Sequence, residues 1–186
     1  MKRVLISLFL LFIALAIGPA LAPSAQAAAP STVADAGYTL GTGDKIRIIV
    51  YGEDDLSGEF QVDGSGTVRL PLIGQVAAAG RTIRQFEADV TAKLADGYLK
   101  SPRVSVEVTN YRPFFILGEV NKPGEYPYVN GMTVVTAVAL AGGYTYRADE
   151  DDVYVQRNGQ PEKEMPADGT TKVMPGDTIR VAERFF

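Results

Sequence analysis

The chain has 186 residues, 46% of them hydrophobic and 22% charged, a balance that supports a buried core and excludes a disordered tail. It contains neither histidine nor cysteine, which excludes the usual zinc ligand sets, Ser-His-Asp and Cys-His catalysis, and any disulfide. With Lys2 and Arg3 set aside as part of a leader, 16 basic residues face 22 acidic ones, a net charge near −6; nucleic acid is therefore not expected as a partner, and docking on an anionic membrane gains no support.

Lys2 and Arg3 precede an apolar run, Val4 to Ile17, that Gly18 and Pro19 break. The run is shorter than the roughly 20 apolar residues of a spanning helix. Ala25-Gln26-Ala27 then offers small residues for cleavage. Residues 1–27 read as a secretory signal peptide cut after Ala27, with an uncleaved anchor as the alternative. Residues 28–37, small and polar, read as a flexible lead, with order expected from Tyr38.

Gly41, Gly43 and Asp44 supply turn chemistry, and Ile46, Ile48 and Val50 then alternate with Lys45, Arg47 and Ile49, which predicts a half-buried strand. Short strands are expected over 59–63, 67–70 and 74–77, with "DGSG" at 63–66 as a hairpin turn. Thr82 with Gln85 forms a capping box, and Ile83, Phe86, Val90 and Leu94 make one apolar stripe. Gly97 suits a left-handed cap beyond that helix. Val104, Val106 and Val108 share one face of a further strand, and Tyr111-Arg112-Pro113 closes the unit.

A second unit opens with "FFILGEV" as a strand and "NKPGEYPYV" as a turn and another strand. "GMTVVTAVALAGG" predicts a short helix, with Thr133 as N-cap and Gly142-Gly143 as terminator. "DVYVQRNGQ" and "DTIRVAE" are later strands, with Asn158-Gly159 and Pro175-Gly176 as turns. The order predicts an α+β protein of two small domains, residues 38–112 and 113–186.

Candidate chemistry is sparse. Gly142-Gly143 ends a helix instead of opening one, so it does not cradle phosphate. Asp149 to Asp152 lacks the spacing of a calcium loop and reads as a solvated acidic turn. Glu53, Asp54 and Asp55 are neighbours on a loop, not a pair facing across a cleft. Ser57, Ser65 and Thr133 have no histidine to activate them. No catalytic, cofactor or metal residue is assigned. Among Tyr111, Tyr126, Tyr128, Tyr144 and Tyr146 there is a choice between strand packing and weak saccharide contact, the latter considered for Tyr126, Tyr128, Tyr144 and Tyr146. The echo of "GDKIRI" (43–48) in "GDTIRV" (176–181) marks either a duplication or simply a Gly-Asp turn before a strand, and six residues favour the second.

Leu40-Gly41-x-Gly43-Asp44, Asp55-Leu56-Ser57-Gly58, Pro71-Leu72-Ile73-Gly74, and Gly97-Tyr98-Leu99 followed by Pro102 resemble the N-terminal domain of bacterial polysaccharide export proteins. Leu117-Gly118-Glu119-Val120, Pro123-Gly124-x-Tyr126 and Ala141-Gly142-Gly143 resemble that family's soluble-ligand-binding β-grasp (SLBB) domain. The resemblance implies a strand-rich export domain with one helix followed by a β-grasp domain. It also implies a periplasmic, outer-membrane-associated component of capsule or exopolysaccharide export that forms or supports a homo-oligomeric ring around its polysaccharide substrate. Long members add further β-grasp domains, a lipidated cysteine and a C-terminal membrane helix. Here one β-grasp unit is seen, cysteine is missing, and "AERFF" follows the last strand. A short form is therefore expected, completed by an outer-membrane β-barrel and an inner-membrane polysaccharide co-polymerase, with no enzymatic activity and no cofactor. The alternative is a monomeric periplasmic module that binds a small ligand or glycan.

Overall fold

A computed structural model describes residues 37–157 and 164–184. The expected signal peptide, its cleavage after Ala27, almost all of the lead and the Asn158-Gly159 turn lie outside those residues.

The first half is built on β1 (Lys45–Val50), the middle strand of a three-stranded antiparallel sheet. β2 (Gly58–Gln61) pairs on one side and β5 (Val104–Asn110) on the other, with Ile48 opposite Gly58 and Val106. The strict alternation of β1 sends Ile46, Ile48 and Val50 inward. Outward, Arg47 pairs with Glu59 at 3.0 Å and Glu107 at 3.4 Å, one carboxylate from each flanking strand. A hairpin of β3 (Thr67–Leu70) and β4 (Gly74–Ala77) adds Val68, Leu70 and Val76 to the same core.

Helix α1 (Ile83–Ala95) closes this core with Phe86, Val90 and Leu94. Its expected capping box is present in full: the Gln85 N–H donates to the Thr82 hydroxyl, and the Thr82 N–H to the Gln85 side chain. Asp63 organises the turn into β3, accepting from the Ser65 and Thr67 N–H groups and from both hydroxyls. The Ser65 hydroxyl bond first, and the others with it, hold its carboxyl down at about 2.

The second half has five strands: β6 (Phe114–Gly118), β7 (Gly124–Tyr126), β8 (Ala148–Gln156), β9 (Glu164–Ala167) and β10 (Thr178–Glu183). Their order is β7-β6-β10-β8-β9. β10 runs parallel to β6 at the centre, and every other pair is antiparallel. Helix α2 (Val134–Leu140) buries Val134, Ala137 and Val138 at i, i+3 and i+4 in the core with Phe114, Ile116, Val155 and Ile179. Two hairpins around a central parallel pair, with a helix laid on one face, make a β-grasp arrangement, and the protein as a whole is α+β.

Several local expectations need correction. Asp149 to Asp152 is not a turn but the first part of β8. The β8–β10 register jumps from Val153 opposite Val181 to Ala148 opposite Glu183, so the acidic residues span a bulge, with Glu150 and Asp151 exposed and Asp149 and Asp152 half-buried. β9 carries no strand signal in its sequence, because "EMPA" neither alternates nor avoids proline; Pro166 is tolerated on an edge strand. Thr133 occupies the N-cap of α2 but makes no side-chain cap bond; its hydroxyl faces that of Thr136 at 3.3 Å. Among the described residues no helix is long and apolar enough to cross a membrane.

Candidate functional site

The two Gly-Asp turns explain the sequence echo, and they meet. In the first, the Asp44 N–H donates to the Gly41 carbonyl (3.1 Å) while the Gly41 N–H donates to Asp44 Oδ2 (2.7 Å). In the second, the Asp177 N–H donates to the Met174 carbonyl (3.1 Å) and the Met174 N–H to Asp177 Oδ2 (2.7 Å). Each aspartate thus closes its own turn before an alternating strand. The surrounding topologies differ: β1 sits between two antiparallel neighbours, β10 between one parallel and one antiparallel. Shared turn chemistry accounts for the likeness without a duplicated domain.

Arg112 stands between the two turns. Its backbone N–H donates to Asp44 Oδ1 at 2.9 Å, and its Nη1 donates to Asp44 Oδ2 at 2.9 Å. Asp44 is fully buried and also accepts a hydrogen bond from the Tyr38 hydroxyl. Burial first, and that bond second, raise the Tyr38 phenol above its ordinary pKa. The guanidinium lies 5.7 Å from the centre of the Tyr38 ring. A Cβ at Gly176 would come within 2.6 Å of Arg112 Nε, and Gly176 holds φ +81°; a Cβ at Gly41 would strike the same guanidinium. The glycines of both turns therefore make room for one arginine side chain.

Asp177 is equally buried but less well served. Its Oδ2 meets Arg157 Nη1 at 3.2 Å, and its Oδ1 has no hydrogen-bond partner. Burial pushes its carboxyl up to about 6, against the Met174 N–H and the charges of Arg157 and Arg112.

Beside this joint lies a cleft of about 300 Å³, lined by Tyr38, Tyr111, Tyr128, Asn130, Met132 and Lys172 among others. The three tyrosines form an edge-to-face series, Tyr38 to Tyr111 at 5.2 Å and Tyr111 to Tyr128 at 5.3 Å. Of the four tyrosines considered for saccharide contact, Tyr128 alone lines this cleft. Tyr126 stacks on Phe114 and donates to the Lys122 carbonyl. Tyr144 is half-buried and bridges Val120, and burial raises its phenol pKa. Tyr146 is 87% exposed. The four do not make one platform. Tyr38, Asp44, Arg112, Arg157 and Asp177 stand in the sequence only as parts of turns and strands, although the Gly-Asp echo contains two of them.

The remaining candidates have structural partners. The Ser57 hydroxyl accepts from the Val50 N–H and donates to the Glu53 carbonyl. Asp54 and Asp55 are exposed on a short 3₁₀ turn. Gly142 and Gly143 end α2, and the Asn121 amide donates to their carbonyls. Among the described residues no three acidic side chains converge as metal ligands would.

The fold and the joint define a class: a small α+β domain followed by a β-grasp domain, with Arg112 of the first packed against the Gly176 turn of the second. The family profile for polysaccharide biosynthesis/export proteins matches residues 32–109, and the SLBB domain profile matches residues 113–169. The exopolysaccharide production protein ExoF of Rhizobium meliloti is 37% identical over 124 residues, 60% of this chain and 29% of that protein. The polysialic acid transport protein KpsD of Escherichia coli is 28% identical over 158 residues, 79% of this chain and 28% of its own length. The EPS I polysaccharide export outer membrane protein EpsA of Ralstonia solanacearum is 29% identical over 182 residues, 79% of this chain and 48% of its own. The chain belongs to the polysaccharide export protein family. It spans less than a third of ExoF and KpsD and about half of EpsA.

Proposed function

We propose that this chain is a periplasmic component of a capsule or exopolysaccharide export apparatus, and that it forms or supports an oligomeric ring through which the polymer crosses the outer membrane. The observation that carries this is the pairing of an export-domain match (32–109) with an SLBB-domain match (113–169) in one chain whose relatives are named for polysaccharide production, transport and export. No reaction is assigned to it; with no histidine or cysteine in the chain, its role is to assemble and guide. Export begins with cleavage of the leader after Ala27. Its partners are further copies of itself, an outer-membrane β-barrel and an inner-membrane polysaccharide co-polymerase.

Ring closure needs a heterologous contact repeated around an axis. Among the described residues the edges of the two larger sheets, β2, β5, β7 and β9, carry backbone groups without a strand neighbour on one side and are natural sites for it. Tyr126, Tyr144 and Tyr146, like Tyr128, remain candidates for weak contact with passing polymer.

Crosslinking in cells followed by mass measurement and affinity capture tests this reading. A ladder of identical subunits together with both kinds of envelope partner is expected. A subunit that stays single at every concentration and captures neither partner would favour an isolated glycan-binding module instead.

A further inference from the structure

The β-grasp domain is apolar on both of its outer faces. A sheet with one face in water normally alternates apolar inward and polar outward, yet the outward residues of β6 are Phe115 and Leu117, both exposed. In register they belong to two rows across the open face of the sheet. Phe115 lies between Glu125 and Thr178, and Leu117 is followed by Arg180, Tyr154 and Pro166. The charge in the second row is tied down, because Arg180 lies over the Tyr154 ring at 4.4 Å and pairs with Glu164 at 2.7 Å. The face thus offers Phe115, Leu117 and Tyr154.

On the other side of the sheet, α2 turns Val134, Ala137 and Val138 inward and leaves Val135, Thr136, Ala139 and Leu140 exposed. Val135 is 56% exposed and Leu140 47%. No charged residue stands on α2, and a helix that is apolar all round belongs in an interior. Charge marks the rims of both faces. Lys172 forms a β-bridge with Thr133 at the start of α2, and Lys122 lies against Gly142 just beyond its end. Asp168, in the turn that meets the first residues of α2, is spent on the Thr170 and Thr171 hydroxyls. The open sheet face is flanked instead by Glu125 on β7 and Glu164 on β9, its two edge strands.

We propose that the β-grasp domains assemble front to back, the α2 face of one copy covering the open sheet face of the next, with Lys122 and Lys172 set against Glu125 and Glu164. A second copy is the occupant because one chain carries both halves, opposite in face and opposite in rim charge. Helix on sheet is also the packing by which this domain builds its own core. The contact is heterologous, so it repeats from copy to copy around an axis. The sheet edges supply less: β7 is three residues long, β9 contains Pro166, and the Val106 N–H of β5 is engaged by Glu87 at 3.3 Å. The proposal rests on the ring reading and supplies it with an interface.

The absence of cysteine makes the contact easy to map. Leu117→Cys and Leu140→Cys are placed in separate copies of the purified protein, mixed, and joined with a short bismaleimide. Ile49→Cys, on the outward side of β1, is the control. Covalent dimers are expected from the Leu117→Cys and Leu140→Cys mixture, and only at background level from either alone or from either with Ile49→Cys. Phe115→Asp and Leu140→Asp should keep the circular dichroism of the parent and weaken self-association at least about tenfold in sedimentation. Mixed together, these two should form pairs and nothing larger, since each retains the half that the other has lost. Self-crosslinking of either cysteine variant as fast as the mixture, undiminished assembly of either aspartate variant, or an aspartate mixture that stays single would overturn this interface. Any of these, beside a parent that still assembles, leaves the ring reading standing with its contact elsewhere. Front-to-back growth without end, in place of a fixed number of copies, would keep the interface and end the ring reading. A parent that stays single at every concentration overturns the interface.

Discussion

Replacing Asp44 with alanine removes the acceptor on which the joint converges. Four hydrogen bonds end on this carboxylate: from the Gly41 N–H, the Tyr38 hydroxyl, the Arg112 N–H and the Arg112 guanidinium. A buried donor left without an acceptor costs about 1–3 kcal/mol, and breaking a buried ion pair from one side costs about 3–5 kcal/mol. These costs overlap, because bonds in one network do not add and because Arg112 keeps a 3.4 Å bond to the Thr39 carbonyl. The expected loss is about 4 kcal/mol, or a fall in Tm of about 8–16 °C for a folded region of this size. Urea unfolding followed by circular dichroism measures it: the midpoint should fall with the m-value unchanged. Asp44→Asn keeps one acceptor and should fall about half as far. A loss below about 1 kcal/mol for Asp44→Ala would show that the joint behaves as a surface ion pair, and the reasoning would be refuted.

The matching turn predicts the opposite behaviour. Asp177 is held at about 6 when folded, above its ordinary 3.8, so the folded state grips that proton more tightly than the unfolded chain. Its contribution is fully present below about pH 4, is lost as pH rises to about 6, and amounts to about 3 kcal/mol. Asp177→Asn should flatten that part of the stability profile and bring stability at pH 8 to or above that of the parent; identical urea midpoints against pH for both proteins would contradict this. Gly176→Ala places a Cβ within 2.6 Å of Arg112 Nε at φ +81° and should cost about 2–4 kcal/mol in the same assay. Thr82→Ala removes the capping box of α1 and should cost about 1 kcal/mol, read as a small shift in thermal midpoint.

Much of the fold is legible in residue order because it rests on local periodicity. The alternation of Ile46, Ile48 and Val50 and the stripe of Phe86, Val90 and Leu94 each declare the face that is buried. The acidic start of β8 and the strand around Pro166 are not legible in that way. The strand around Pro166 takes its state from backbone pairing with β8, and the acidic stretch lies where the β8–β10 register jumps between Val153 and Ala148; side-chain pattern records neither. The joint is hidden for a different reason. Arg112 reaches Asp44 across 68 positions of sequence, and nothing near Tyr111-Arg112-Pro113 distinguishes an arginine that ends a strand from one that couples two domains. The Gly-Asp echo shows that two turns are alike; that both abut one guanidinium is a property of the folded chain. Likewise Tyr38, Tyr111 and Tyr128 stand far apart in sequence, and only packing sets them in one series.

The central proposal is that this chain serves outward movement of polysaccharide and not its synthesis. A pulse of labelled sugar, chased in a strain lacking the gene and in the same strain carrying it again, tests this most directly. Labelled polymer should form at a normal rate without the gene but remain inside the envelope, and should reach the cell surface and medium once the gene is restored. Prompt release in its absence, or a failure of synthesis itself, would contradict the claim.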